Sequence, residues 1–269
     1  MEVFTAIILG LIQGITEFLP ISSTGHLVLV QEFLGVSDIY GLSFDAILHL
    51  ATALAVGIYF FKDFLKIAYA FLYRITGRPV VKEDETMLLL LIIGTIPAAA
   101  LGFYLEDYMD TIFRNPVLVA WTLILGALIF LLAEWVGKRY QEQENIPTKM
   151  RALWIGFFQA LALIPGMSRS GMTISGGLML GLTREAAARF GFMLAFPIIL
   201  GSGGKKFLDL LNAGTFDANI APIFWGAVAA FGSGLLVIHY LLKFLRNHSL
   251  TVFAVYRILL AIVVLVWFV

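Results

Sequence analysis

The stretch Thr16–His26, TEFLPISSTGH, decides how this chain is read. It packs a carboxylate, a proline, a cluster of hydroxyls, a glycine and a histidine into an apolar run that extends from Val3 to Leu34. A helix crosses a bilayer core with ~20 apolar residues, so the run is too long for one span. Pro20 breaks the helical hydrogen-bond ladder. Each half-segment is then only about ten to seventeen residues, which suits a re-entrant hairpin better than a crossing. A single kinked helix is the simpler alternative, but a kink has no need of so many hydroxyls. Ala152–Leu182 repeats the design, interrupted at PGMSRSG, Pro165–Gly171.

The rest of the chain agrees with a membrane setting. Of its 269 residues 60% are hydrophobic and only 13% charged, against ~25% charged in soluble domains. Mean hydropathy is +0.93. The formal net charge is zero, which argues against nucleic acid or a polybasic lipid contact. With no cysteine, disulfides, thiolate metal sites and a cysteine nucleophile are excluded. Glu2 stands where a signal peptide needs basic residues, so cleavage of the start is not expected.

Six spans are expected, at Phe44–Phe61, Thr86–Leu105, Asn115–Ala133, Phe190–Gly204, Ala221–Leu242 and Leu250–Val269, with Arg257 as an internal blemish in the last. The fold class is therefore an all-α polytopic membrane protein: six transmembrane helices and two re-entrant helical hairpins. Basic residues favour the cytoplasmic side. Lys62, Lys66, Arg74, Arg78 and Lys82 follow the first span, Lys138, Arg139, Lys149 and Arg151 the third, Lys243 and Arg246 the fifth. Those connections are expected inside, and the acidic loop at Glu106, Asp107 and Asp110 outside. Lys205 and Lys206 run against the scheme.

One offset carries Gly10 onto Gly156, Gln13 onto Gln159, Ser22 onto Ser168 and Gly25 onto Gly171, laying SSTG over SRSG. An odd number of spans lies between the hairpins, so the halves, 1–145 and 146–269 of a single domain, are expected to be inverted. Inverted repeats hold their sites where broken helices meet. Chance matching of Gly and Ser in apolar sequence is the competing explanation.

The polar residues suggest chemistry. Ser22 or Ser23 can cap the helix after Pro20, and Ser168 or Ser170 the helix after Pro165. Two buried helix N-termini then present free amides and positive dipole ends, which suit phosphate. Arg169 adds a charge that is costly in lipid unless paired, and its fork matches phosphate oxygens. A salt bridge to Glu17 would be its purely structural use. Glu17, one turn after Gln13, is a candidate to accept a proton, hold water or bind a metal. His26, three residues after Ser23, could assist a Ser23 nucleophile or attack phosphorus itself; a lone helical histidine more often packs. Ser22, Thr24, Gly25, Gly166, Ser168, Ser170, Thr173 and Gln13 complete a candidate phosphate-binding set, with capping the safer role for any one hydroxyl. Asp45 and His49 either line the cavity or sit at the interface. Arg257 reads as snorkelling to the cytoplasmic side, and Glu134 as an interfacial charge. Glycines such as Gly10 and Gly14 permit close helix approach.

QGITEFLPISSTGH (Gln13–His26), PGMSRSGMTISGG (Pro165–Gly177) and FAVYR (Phe253–Arg257) resemble the signature motifs of the bacterial undecaprenyl-diphosphate phosphatases, also called bacitracin-resistance proteins. The resemblance spans nearly the whole chain. It implies hydrolysis of undecaprenyl diphosphate to undecaprenyl phosphate and inorganic phosphate, recycling a lipid carrier for envelope polymers and conferring bacitracin resistance. It implies a multi-pass protein of the bacterial cell membrane whose site opens to the outer face. It makes Glu17 the motif glutamate, Ser23 the nucleophile, His26 the motif histidine and Arg169 the phosphate-binding arginine. Many members carry glutamate where this chain has Gln13, which weakens a two-carboxylate metal model. The implied cofactor is Mg2+ or Ca2+, with no organic cofactor. The expected partners are the polyprenyl diphosphate and the bilayer; a homodimer is compatible with a sequence that leaves oligomeric state open.

Attack by Ser23, by His26 or by water directly cannot be separated in sequence. A polyprenyl-phosphate flippase is the rival class, since broken helices are also a transporter hallmark. A purely structural membrane protein would account for Ser22 and Ser168 but not for Glu17, His26 and Arg169.

Overall fold

The computed structural model of the chain describes residues 2–36, 38–112, 116–140, 143–212 and 220–268. Among these, eleven helices form: α1 (Val3–Phe18), α2 (Ser23–Phe33), α3 (Asp38–Tyr59), α4 (Phe61–Ile75), α5 (Lys82–Ile112), α6 (Pro116–Gly137), α7 (Lys149–Leu161), α8 (Arg169–Met179), α9 (Arg184–Asn212), α10 (Ile220–Leu245) and α11 (Thr251–Phe268). An isolated bridge between Glu144 and Leu182 is the one β contact among the described residues. The chain is an all-α polytopic membrane protein.

Four stretches, Lys82–Leu105, Pro116–Gly137, Arg184–Leu208 and Ile220–Leu245, are long and apolar enough to cross a bilayer. The pair α3–α4, bent by 81° at Phe60, makes a fifth if counted as one; α11 is apolar but shorter. Helices α5, α6, α9 and α10 overrun the expected spans, because backbone hydrogen bonding continues into the polar flanks, whereas α3 stops at Tyr59, short of the expected Phe61. Phe190–Gly204, for example, is the middle of α9. Two expectations need correction. The basic segment after the first span is a helix, α4, whose Phe61, Leu65, Tyr69 and Leu72 recur at helical spacing and stay exposed. The acidic segment at 106–110 continues α5 and is no loop; the side chains of Glu106, Asp107 and Asp110, like Asn115 and Val269, lie outside the described residues.

Both polar interruptions are breaks between helices. Leu19, held extended (φ −61°, ψ 138°) by the following proline, ends α1. Ser22 and Ser168 cap α2 and α8, accepting from the Gly25 amide at 3.4 Å and the Gly171 amide at 3.2 Å. They are the only non-glycine residues with positive φ among those described, at 74° and 71°. Such backbone is strained for an L residue and clusters at functional sites.

Packing repeats the same pairing. Helix α1 lies along α10, α7 along α5, α6 against α11, and α3 between α9 and α10. Lipid offers no hydrophobic drive for helix association, so small residues bring the backbones together. A Cβ on Gly10 would strike the Gly226 carbonyl, and one on Gly156 the Gly94 carbonyl. The two glycines aligned in sequence thus do one job in both halves. The hairpins meet where Ser170 of α8 reaches the Leu19 carbonyl, and Phe18 packs edge-on to Phe192 of α9 with centroids 5.5 Å apart.

Candidate active site

Glu17 ends the last turn of α1, and Ser23 opens α2 across the Pro20 turn. The turn folds the second residue back onto the first, and Ser23 Oγ donates to Glu17 Oε2 at 2.7 Å. Gln13, one turn before Glu17, donates Nε2 to the same oxygen at 3.0 Å. Glu17 Oε1 faces Arg169 Nη1, the first residue of α8, at 3.9 Å. That is a loose ion pair, and Arg169 Nη1 is buried without a hydrogen-bond partner. A guanidinium in this state has donors to spare for an incoming anion.

The two helix N-termini open onto one cleft. Its walls are Glu17, Ser22, Ser23, Thr24 and His49 on one side and Ala162, Ile164, Pro165, Gly166, Ser168 and Arg169 on the other. Ser170 Oγ donates to the Leu19 carbonyl at 3.2 Å, tying the second tip to the break in the first. An anion seated there meets free amides, two dipole ends and one arginine.

Several expected residues lie elsewhere. Gln13 is fully buried behind Glu17. Gly25 backs onto Val119, where a Cβ would approach Cγ1 to 3.2 Å. Thr173 donates back to the Arg169 and Ser170 carbonyls at 3.0 and 3.1 Å and faces Gly191 of α9. His26 does not line the cleft. Its Nδ1 lies 2.7 Å from the Ser22 carbonyl, which can only accept, so Nδ1 carries the proton. In the neutral ring Nε2 then accepts from the Tyr256 hydroxyl, also at 2.7 Å. His26 clamps the strained Ser22 to α11.

The next residue of α11 holds the other tip, which corrects the snorkelling expectation for Arg257. Arg257 is 0% exposed. It donates to the carbonyls of Gly166 (2.7 Å), Met167 (3.1 Å), Leu123 (3.2 Å) and Thr122 (3.3 Å), over the Phe130 ring at 4.8 Å. A carbonyl cage satisfies the guanidinium where it stands, and Gly126 leaves it room, since a Cβ there would strike Nη2. Glu134, near the end of α6, is a paired charge and not a solvated one. It is 5% exposed, takes both Arg184 nitrogens (2.9 and 2.5 Å) and accepts from the Leu250 amide at 2.8 Å.

A family model described as bacitracin resistance protein BacA matches residues 6–263. The chain belongs to this family. A protein of Rubrobacter xylanophilus named undecaprenyl-diphosphatase is 42% identical over 266 residues, covering 98% of this chain and 97% of its own length. One of the same name from Alteromonas mediterranea is 42% identical over 270 residues, 100% and 99% of the two chains. Another, from Methanosphaera stadtmanae, is 37% identical over 276 residues, 99% and 98%.

A resident divalent metal fits the cleft poorly. Held before substrate arrives, Ca2+ needs several protein oxygen ligands, and Mg2+ is retained by one or two carboxylates only together with waters and substrate phosphates. Among the described residues no group of three or more His, Asp or Glu side chains is placed to hold one. The cleft supplies one carboxylate, and that already faces a guanidinium.

Between the cavity and the interface, the two places its sequence position allows, His49 takes the cavity. It reaches the cleft from α3, with Nδ1 3.0 Å from Gln13 Nε2 and 3.4 Å from Glu17 Oε2. The available signal was an ionisable residue inside an apolar span. Asp45, one turn earlier, instead accepts from Gln31 at 2.7 Å.

Proposed function

We propose that this protein hydrolyses undecaprenyl diphosphate to undecaprenyl phosphate and inorganic phosphate. By recycling the envelope lipid carrier it gives the cell resistance to bacitracin. The observation that carries the mechanism is the 2.7 Å hydrogen bond from Ser23 Oγ to Glu17 Oε2 at the mouth of two convergent helix N-termini.

The terminal phosphoryl group sits between the helix ends, and the prenyl chain stays in the bilayer. Ser23 Oγ attacks phosphorus in line as Glu17 takes its proton. The anhydride P–O bond breaks and undecaprenyl phosphate leaves. Arg169 and the amides of both helix starts stabilise the charge on the equatorial oxygens. Water then opens the phosphoserine: Glu17 hands its proton back to Ser23 Oγ, takes one from the water in exchange, and releases it with inorganic phosphate. The filled hydrogen bonds of His26 Nε2 speak against that atom as nucleophile.

In the membrane we place six spans, with the two hairpins dipping from opposite faces as inverted halves 1–145 and 146–269. The basic connections lie inside and the cleft opens to the outer face of the bacterial cell membrane. The equivalent serine caps and glycine contacts support this arrangement.

The test is phosphate release from undecaprenyl diphosphate in detergent micelles, where transport has no meaning. Turnover that disappears in a folded Arg169→Ala protein is the expected result. A folded wild type that releases none, yet moves polyprenyl phosphate across vesicles, would make it a flippase.

A further inference from the structure

We propose that His49 is the proton relay of this site, taking up the proton that Glu17 removes from Ser23. The inference rests on the Ser23–Glu17 chemistry above and adds a group from outside both hairpins.

Gln13 fixes the geometry. Its Nε2 donates both to Glu17 Oε2 and toward His49 Nδ1, each at 3.0 Å. Nδ1 therefore presents a lone pair, and the neutral ring carries its proton on Nε2. That lone pair is 3.4 Å from the same carboxylate oxygen that receives the Ser23 hydrogen bond. Ser23 Oγ, Glu17 Oε2 and His49 Nδ1 thus form one path, with a bound amide holding the two bases together. Glu17 is 7% exposed, so a proton resting on it has few other acceptors. The opposite amide atom, Gln13 Oε1, is buried and unpartnered. A turn of the amide would bring that acceptor to a protonated Nδ1.

The proton balance closes. As the Oγ–P bond forms and the anhydride bond breaks, the hydroxyl proton passes to Glu17 Oε2 and on to Nδ1. The carboxylate is restored and the imidazolium holds one proton. When water attacks the phosphoserine, His49 returns its proton, through Glu17, to the departing Ser23 Oγ, and Glu17 then takes the water's proton and gives it up to the leaving inorganic phosphate, so all three groups end as they began.

The groups facing His49 are Glu17 on α1, Arg169 on α8 and Lys206 on α9. The diphosphate entering the cleft brings negative charge beside both cations. On α10, His239 meets Tyr59, about 15 Å further along α3 at 1.5 Å per residue. His49 acts through Glu17 and is a positioning residue, not a group that touches the substrate.

The experiment is the pH dependence of phosphate release from micellar undecaprenyl diphosphate by wild type, His49→Gln and His49→Ala. Both glutamine and alanine remove the titrating ring, and glutamine keeps hydrogen bonding. Expected for His49→Gln is a fall in kcat of about 10²-fold, the low end for proton-transfer groups, with KM little changed. The acid limb of log kcat should lose one proton of steepness, substrate ionisation being common to both proteins. Imidazole added to His49→Ala should restore part of kcat. Wild-type kcat in His49→Gln overturns the relay, as does a lower kcat whose acid limb is unchanged or an alanine variant indifferent to imidazole. If His49→Gln does not fold, the imidazole response of His49→Ala decides. A wild type that releases no phosphate overturns the hydrolase itself, and the relay with it.

Discussion

Replacing Arg257 by methionine tests whether the second hairpin tip is set from a distance. The side chain donates to four carbonyls, of which those of Gly166 and Met167 belong to the turn before α8. Methionine fills much of the volume and removes the cost of burying an unpaired charge. It also leaves the turn carbonyls without this donor, at about 1–3 kcal/mol for each buried acceptor, or roughly 2–6 kcal/mol for the pair. The turn relieves that cost by moving. Ser168 and Arg169 follow Met167 directly, so they move with it. A displacement near 1 Å at a reacting site costs on the order of 10²-fold in rate. Arg257→Met should therefore lower kcat for phosphate release by about 10²-fold and lower the thermal midpoint in detergent. Arg257→Lys, which keeps the charge but loses the fork, should fall between. An Arg257→Met protein with wild-type kcat and midpoint would refute the role of the cage.

Four further outcomes follow from the geometry. Ser23→Ala should lose at least 10³-fold in kcat while keeping its fold, since alanine cannot form the bond to phosphorus; turnover close to wild type would instead indicate direct attack by water. Glu17→Gln should lower kcat by about 10²–10⁴-fold, the range for a general base, in the same phosphate assay. Gly10→Leu or Gly156→Leu should abolish folded, monodisperse protein on size exclusion, because each side chain would drive into a neighbouring backbone carbonyl. The chain has no cysteine, so Lys138→Cys gives a clean topology probe. It should resist a membrane-impermeant thiol reagent in whole cells and react after permeabilisation.

His26 and His49 show where sequence reading stops. His26 sits three residues from Ser23 within a polar motif, and proximity along the chain suggests partnership. On the helix the two diverge, Ser23 toward Glu17 and His26 toward Tyr256 of α11. His49 lies in an apolar span outside both motifs, and only the packing of α3 beside α1 brings it to Glu17. Arg257 was misread for a related reason. An arginine in an apolar helix looks the same in sequence whether it reaches the interface or a cage of carbonyls, and the cage is built from α6 and the α8 turn. For Glu134 the sequence does not name the partner, Arg184, because it lies on a separate helix.

What the sequence determined by itself is local and compositional. Apolar length marks the membrane class, Pro20 fixes where the first half-helix stops, and a serine placed three residues before a glycine names each cap. These depend on bonds between near neighbours, which the order of residues specifies directly. Tertiary structure decided the rest: that both caps face one cleft, that Arg169 stands near Glu17 with donors to spare, and that consecutive residues of α11 steady the two tips. Those relations join residues more than a hundred positions apart. They arise from which helices their small residues allow to touch, and no local pattern encodes that choice.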